Sequence, residues 1–260
     1  METIERKSLL NKSALGFLCV NHVQGCSHGC LYPCYAFSMA RSYGRARDYE
    51  DWCSPRLVSN ARELLAKELG RLKKRREAAP SRVHFCLTTD PFMFGWPEIA
   101  ASSLELIGMI NAAGIPVSVL TKGILPEALA DTRAFPCGNS YGISLVSLSE
   151  EFRREWEPGA SPYVERIAAL RRLHEAGRST YVHIEPYPTP NAYRPSANLS
   201  AQDLGELLEA AGFVDSLYFG GWNYNAATKN FPDREGFYET CAAKAKRFCR
   251  ERGIDFAGGA

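Results

Sequence analysis

Three cysteines crowd one short run, Gly25-Cys26-Ser27-His28-Gly29-Cys30-Leu31-Tyr32-Pro33-Cys34-Tyr35. Thiols spaced this closely do not readily pair with one another. They can converge on a single iron–sulfur cluster, for which thiolate is the preferred ligand. Three thiolates leave one iron of a four-iron cluster open to a small molecule, which points to catalysis more than to electron storage. The same run also admits a zinc site or unligated buried thiols. Zinc normally asks for a fourth Cys or His at a recognisable spacing, and His28 lies inside the loop itself.

A chain of 260 residues is long enough to bury a sizeable core as one domain, and α/β barrels routinely reach this size. The expectation is one domain over residues 1–260, with the cysteine loop at 25–35 and a closing helix at about 234–252. A net charge of +2 provides no global field that would favour nucleic acid or a membrane. The start, Met1-Glu2-Thr3-Ile4-Glu5-Arg6-Lys7, is charged and lacks the apolar centre of a secretory signal. No apolar run approaches membrane-spanning length, so no membrane partner is expected. A reducing, cytoplasmic location is expected, in which the nine cysteines stay available as thiols. Cys19, Cys53, Cys137, Cys241 and Cys249 read as small packing residues.

Runs rich in Val, Ile, Tyr and Phe predict strands at 16–22, 82–88, 116–121, 139–146, 179–185 and 215–220. They are mostly apolar, as buried parallel strands are. Helices are predicted at about 35–42, 54–77, 97–113, 125–132, 162–176, 201–211 and 234–252. Ser200 and Pro97-Glu98 read as helix starts, and Gly114, Gly177 and Gly212 as helix C-caps. Residues 43–55 read as a loop insertion. Alternating βα units predict a parallel sheet with helices outside it. Periodicity alone leaves open whether that sheet is flat or curved.

In parallel α/β folds, ligands bind beyond the carboxyl ends of the strands. Those ends carry Thr88-Thr89-Asp90-Pro91-Phe92, Thr121-Lys122-Gly123, Ser144, His183-Ile184-Glu185-Pro186-Tyr187-Pro188 and Gly220-Gly221-Trp222-Asn223-Tyr224. Polar groups concentrate there, where a zwitterionic ligand needs hydrogen-bond partners. Each also has a plain structural reading. Asp90 suits a turn before Pro91, Lys122 a solvated strand end, and Ser144 a core hydroxyl bonded to backbone. Arg166 suits an exposed helix position beside a glutamate. Trp222, Asn223 and Tyr224 suit a strand cap, and His183 a satisfied core histidine.

Taken together and in order, the runs GCSHGC, TTDPF, LTKG, GISL, EPGASPYVERIAALRRLHEAG and HIEPYPTP resemble the spore photoproduct lyase-like branch of the radical S-adenosylmethionine (radical SAM) superfamily. The resemblance covers about residues 16–190. It implies an α/β fold, an open (β/α)6 partial TIM barrel with parallel strands and outer helices. It implies a [4Fe-4S] cluster held by Cys26, Cys30 and Cys34, with S-adenosylmethionine as cofactor. In that chemistry one electron from the cluster cleaves S-adenosylmethionine to methionine and a 5′-deoxyadenosyl radical, which abstracts hydrogen from a substrate the sequence does not name. Carried over position by position, Tyr32 is the aromatic residue near the adenine, with Tyr35 its competitor. Thr89 and Asp90 receive the methionine amino group, Lys122 meets the methionine carboxylate or ribose, Ser144 contacts the ribose, and Arg166 assists. Glu185 faces the pocket, and Tyr187, Trp222, Asn223 and Tyr224 stand on the substrate side. An electron donor such as flavodoxin or ferredoxin is implied as a partner.

Two features depart from the family pattern. The usual spacing is CxxxCxxC, whereas this chain reads CxxxCxxxC, with Pro33 as one extra residue. Proline fixes its own φ and restrains the residue before it. Cys34 is therefore expected to reach the cluster by a different path, with Tyr32 displaced from the adenine side and Tyr35 or Phe37 in its place. The namesake of the branch also has a hydrogen-donating Cys just ahead of its Ser-Asp pair. Leu87 and Thr88 stand there in this chain. Cys86, on the same strand face as Thr88, is a displaced candidate for catalysis, against a core-thiol reading. The thymine-dimer substrate is not carried over. The basic stretch Arg71-Leu72-Lys73-Lys74-Arg75-Arg76 complements the C-terminal end of a helix, and a nucleic-acid contact is the less favoured reading. The alternative function is an iron–sulfur or zinc protein that binds a partner or nucleic acid without radical catalysis.

Overall fold

The computed structural model describes residues 1–13, 16–74, 80–136, 138–192, 203–223 and 225–258. The expectations at Arg75, Arg76, Cys137, Ser200 and Tyr224 lie outside the described residues. The chain opens with β1 (Thr3–Ile4), β2 (Leu10–Lys12), β3 (Leu18–Val20) and β4 (Val23–Gln24), then α1 (Tyr35–Ser42), α2 (Tyr49–Cys53), β5 (Arg56–Val58) and α3 (Ala61–Lys74). It continues with β6 (Val83–Phe85), α4 (Pro97–Ala112), β7 (Val117–Thr121), β8 (Ser140–Ser144), α5 (Glu150–Trp156), α6 (Tyr163–Glu175) and β9 (Ser179–Tyr187). It closes with α7 (Leu204–Ala211), β10 (Ser216–Gly221), α8 (Ala226–Lys229), α9 (Arg234–Arg252) and β11 (Asp255–Gly258).

The six predicted strands lie side by side in chain order. The eight-stranded sheet runs β11-β10-β9-β8-β7-β6-β3-β2. Every pair from β3 to β11 is parallel, and β2 is antiparallel to β3. Among the described residues the sheet is open, with β2 and β11 at its edges. A small sheet, β1-β5-β4, is added outside it. This is the expected open α/β arrangement, extended by one strand at each edge.

The alternation that builds the strands also sorts the two faces. In β9, Thr180, Val182 and Ile184 are buried, while Tyr181, His183 and Glu185 are half-buried on the opposite face. In β7, Val117 and Val119 are buried and Ser118 is half-buried. The buried faces join Leu106, Ile107 and Ile110 of α4, Leu170 and Leu173 of α6, and Leu207 and Leu208 of α7 in one core. Each such fully buried apolar side chain contributes roughly 1.5–3 kcal/mol. The polar, aromatic face of β7, β9 and β10 is left for other work.

Local signals explain the helix limits. α9 is capped at its start by Asp233, whose side chain accepts from the Gly236 N–H, and ends at Gly253 with φ +68°. Asp203 caps α7, three residues after the predicted start at Ser200. Three expectations are corrected. The helix predicted over 54–77 begins only at Ala61, because Arg56–Val58 pairs as β5 with β1 and β4. Residues 43–55 are not simply a loop: Asp48 accepts from the Asp51 N–H and starts the short helix α2. The helix predicted at 125–132 is a single 3₁₀ turn, Glu127–Ala130. Pro126 sits in extended conformation ahead of it, and no long apolar face is available to prolong it. Among the described residues no helix is long and apolar enough to cross a membrane.

Candidate active site

The cysteine loop lies between β4 and α1 and is held from three sides by backbone. The Cys26 N–H donates to the Trp52 carbonyl at 2.8 Å, the Leu31 N–H to Trp156 at 2.9 Å, and the Gly159 N–H to His28 at 2.9 Å. Two glycines make this approach possible. A Cβ on Gly25 would lie 2.6 Å from the Trp52 oxygen, and one on Gly159 would lie 2.0 Å from the Ser27 oxygen. His28 is buried and pins the loop to the segment after β6. Its Nε2 accepts from the Phe94 N–H at 3.2 Å, so Nδ1 carries the proton and faces Asp90 Oδ2 at 3.5 Å. His28 is thus spoken for by Asp90 and Phe94.

Cys26, Cys30 and Cys34 are free thiols, each partly buried. Burial, then the charges of Asp90 and of the Cys30 and Cys34 thiols, pushes the Cys26 thiol well above its ordinary pKa. Burial likewise takes Cys30 up to about 12, against the nearby Lys122 cation. The three sulfurs therefore lie within electrostatic reach of one another. Among the described residues no three His, Cys, Asp or Glu side chains already stand in metal-holding geometry. The donor chemistry nevertheless fits an iron–sulfur cluster: soft thiols on one backbone-held loop. The Ser27 hydroxyl, buried at this rim, has no hydrogen-bond partner among the described residues, and the buried Thr89 hydroxyl lies beside the Cys86 thiol. Cys53, at the end of α2, joins Cys26 and Cys34 in one small cluster around Trp52. Sequence spacing gave no hint of that fourth thiol.

The residue that organises the site is Glu157, just after α5. It is fully buried. Its Oε1 accepts from the Tyr32 hydroxyl at 2.6 Å and from Lys122 Nζ at 2.8 Å, and its Oε2 accepts from Arg166 Nη2 at 3.0 Å. Burial alone would raise the carboxyl's pKa, but the Lys122 and Arg166 cations, with hydrogen bonds from Lys122 and Tyr32, hold it well below the usual carboxylate range. Arg166 also donates to the Ser144 carbonyl at 3.0 Å and to the Ser161 carbonyl at 2.7 Å. Tyr32, Lys122 and Arg166, expected separately as cofactor contacts, are thus gathered around one carboxylate, and Ser144 joins them only through its backbone carbonyl on Arg166. Sequence reasoning noted Glu157 only as part of a run and assigned it no role.

Arg166 is wholly buried and acts through its partners, whereas Lys122 is partly exposed, with its ammonium 5.4 Å from the Tyr32 ring centre. Tyr32 turns inward and meets Trp222 edge-on at 5.3 Å, and Trp222 meets Trp156 at 5.0 Å. Tyr35 is the exposed aromatic of the loop, its hydroxyl donating to the Leu87 carbonyl. Phe37 packs on Tyr49 and Trp52. Asp90 sits at the expected strand end, and its oxygens accept from the Phe92 N–H at 2.9 Å, the Thr121 hydroxyl at 2.6 Å and the Lys122 N–H at 2.8 Å. It ties the β6 and β7 ends together.

Cys86 lies in the core with φ +54°. Its sulfur is 3.4 Å from His22 Nδ1, His22 Nε2 is 3.0 Å from the Ser103 hydroxyl, and that hydroxyl donates to the Pro91 carbonyl at 2.5 Å. The chain of donors therefore runs from the Cys86 thiol through neutral His22 to Ser103. Burial raises Cys86 to about 12 and lowers His22 to about 4, so both stay uncharged. Tyr187 is buried beside Phe219 and Phe237. Glu185 and Asn223 line a cavity at the ends of β9 and β10.

The profile of the radical SAM superfamily matches residues 20–191. The chain belongs to the radical SAM superfamily, and with membership come that superfamily's cofactors, a [4Fe-4S] cluster and S-adenosylmethionine. An uncharacterised protein found in Mycobacterium bovis and Mycobacterium tuberculosis is 31% identical over 228 residues. The alignment covers 82% of this chain and 63% of that protein, so this chain spans under two thirds of the relative's length. In fold the chain is similar to a spore photoproduct lyase mutant with bound AdoMet and dinucleoside spore photoproduct, at TM-score 0.68 and 16% identity, covering 98% of this chain and 80% of that one. It is also similar to SuiB of Streptococcus suis bound to S-adenosylmethionine, at TM-score 0.50 and 14% identity, over 75% of this chain and 42% of that one.

Proposed function

We propose that the chain is a radical SAM enzyme in which Cys26, Cys30 and Cys34 hold the cluster and the Glu157 network shapes the S-adenosylmethionine pocket. The observation that carries this reading is the convergence of Tyr32, Lys122 and Arg166 on buried Glu157 directly behind the cysteine loop. Held by Cys26, Cys30 and Cys34, a cluster would supply the one electron for reductive cleavage of S-adenosylmethionine to methionine and a hydrogen-abstracting 5′-deoxyadenosyl radical. The chain's own part is to orient and to exclude water. Lys122 is the cation placed to meet a carboxylate. The Thr89 hydroxyl and Tyr35, beside Cys34, stand at the rim. Cys86, given to His22, is a thiol near this rim outside the loop, and its role as a hydrogen donor belongs to this proposal.

The electron comes from an external one-electron carrier such as flavodoxin or ferredoxin, in a reducing cytoplasm. The substrate is unnamed, and the chain acts as one domain. A second reading, an iron–sulfur or zinc protein without radical catalysis, draws support from Asp90 and Lys122, whose polar atoms are already engaged within the chain. Anaerobic reconstitution with iron and sulfide separates the two. Four irons per chain and 5′-deoxyadenosine on reduction with S-adenosylmethionine are the expected result. A colourless protein with one zinc, or a loaded cluster that yields no 5′-deoxyadenosine, refutes the enzyme reading.

A further inference from the structure

At the carboxyl ends of β9 and β10 lies a cavity of about 350 Å³, whose walls include Glu185, Tyr218, Asn223 and Arg234. It is distinct from the Glu157 network, none of whose hydrogen-bonding side chains line it. The two are nonetheless neighbours. Burial raises the pKa of Glu185, and the Lys122 cation of that network is close enough to pull it partly back. The cavity therefore opens within electrostatic reach of Lys122, whose ammonium lies beside the Tyr32 ring of the cysteine loop.

Its charge is unusual. The Arg234 guanidinium uses Nη2 to donate to Asn223 Oδ1 at 3.0 Å and lies 5.6 Å from the Tyr238 ring centre. Its Nε is buried without a hydrogen-bond partner, and no carboxylate stands within ion-pair distance of Arg234, among the described residues. A guanidinium oriented by an amide and a ring, with no counterion among the described residues, keeps its Nη1 donors for an oxyanion. The space for a ligand is made by glycine. A Cβ on Gly220 would lie 2.7 Å from Glu185 Oε1, and one on Gly221 would lie 2.8 Å from the Tyr238 ring. One wall is flat: the Tyr218 ring is backed by His183, stacked at 4.7 Å and 22°.

We propose that this cavity is the substrate subsite, with Arg234 gripping a carboxylate or phosphate of a substrate whose flat ring lies against Tyr218 and gives a hydrogen bond to Glu185. The proposal rests on the radical SAM reading for what happens to that substrate, but the binding it asserts does not need catalysis. Calorimetry on the cluster-loaded protein tests it with two pairs of probes: thymidine monophosphate against thymidine, and benzoate against benzyl alcohol. The charged member of at least one pair is expected to bind more tightly than its neutral counterpart. The pair that shows the preference identifies phosphate or carboxylate as the source. Replacing Arg234→Gln is expected to weaken that charged probe roughly tenfold to a hundredfold, with the neutral probe unchanged and Arg234→Lys retaining part of the preference.

Equal affinity within both pairs, no binding of either charged probe, or an undiminished preference in Arg234→Gln overturns the proposal. Should Arg234→Gln fail to fold, the wild-type comparison within each pair still decides. Release of 5′-deoxyadenosine from the same preparation is measured separately. Its loss counts against the enzyme reading and leaves the probe result to judge the subsite.

Discussion

Replacing Glu157→Gln keeps the side chain's shape and removes its charge. Arg166, wholly buried, would keep only neutral partners, chiefly the Ser144 carbonyl and the Ser161 carbonyl and hydroxyl, and Lys122 would lose its ion-pair partner among the described residues. Removing one member of a buried ion pair costs about 3–5 kcal/mol, because the remaining charge is stranded. At this chain length that corresponds to a fall in Tm of roughly 6–20 °C. The pH dependence carries a sign. The Glu157 carboxyl titrates below its ordinary range in the folded chain. Its stabilisation is therefore fully present above the unfolded carboxylate pKa of about 4.3. It is lost as pH falls from there toward the folded value. The stability gap between wild type and Glu157→Gln should thus be widest near neutrality and close as the solution is acidified below about pH 4. Urea unfolding followed by circular dichroism, repeated at several pH values, measures it. The paired change Glu157→Leu with Arg166→Met, which leaves no buried charge stranded between them, should recover much of the loss. A deficit under about 1 kcal/mol at neutral pH, or one that stays constant into acid, would refute the idea that this carboxylate is the ionised centre of the network.

Three further outcomes follow from the geometry. Gly159→Ala places a Cβ 2.0 Å from the Ser27 backbone oxygen; the loop must move, and iron uptake on reconstitution should drop well below wild type while Gly138→Ala, in open space, leaves it unchanged. Cys26→Ala, Cys30→Ala and Cys34→Ala should each abolish a stable four-iron spectrum; retention in Cys34→Ala alone would make Cys53, which sits in the same cluster, the third ligand. His22 and His183, each lowered by burial to about 4, should stay neutral by NMR until pH nears that value, and folding stability should fall as pH drops from 6.5 toward 4 because the unfolded chain takes up those protons first. A His22 resonance titrating near 6.5 would mean that its contact with Cys86 is not kept in solution.

The sequence by itself carried the parallel strands, the long final helix and the cysteine loop. Each of these is written in neighbouring residues: apolar runs for β7 to β10, Asp233 and Gly253 at the ends of α9, and thiols a few positions apart. Such signals survive without knowledge of the fold because the interactions they encode are local. Local signals were also overread, as at 54–60, where strand pairing with β1 and β4 overrode a helical pattern. What the sequence did not carry is the way distant residues meet. Tyr32, Lys122, Glu157 and Arg166 come from four separate segments, and nothing around Glu157 distinguishes it from a surface glutamate until the fold buries it between two cations. Arg234 likewise reads as an ordinary first-turn residue of a helix, and only the packing of α9 against the end of β10 makes it a cation beside a cavity with no ion-pair partner among the described residues. Desolvation and charge pairing depend on what surrounds a group in space, so only the tertiary structure decided which carboxylate holds the site together and where an anion can be received.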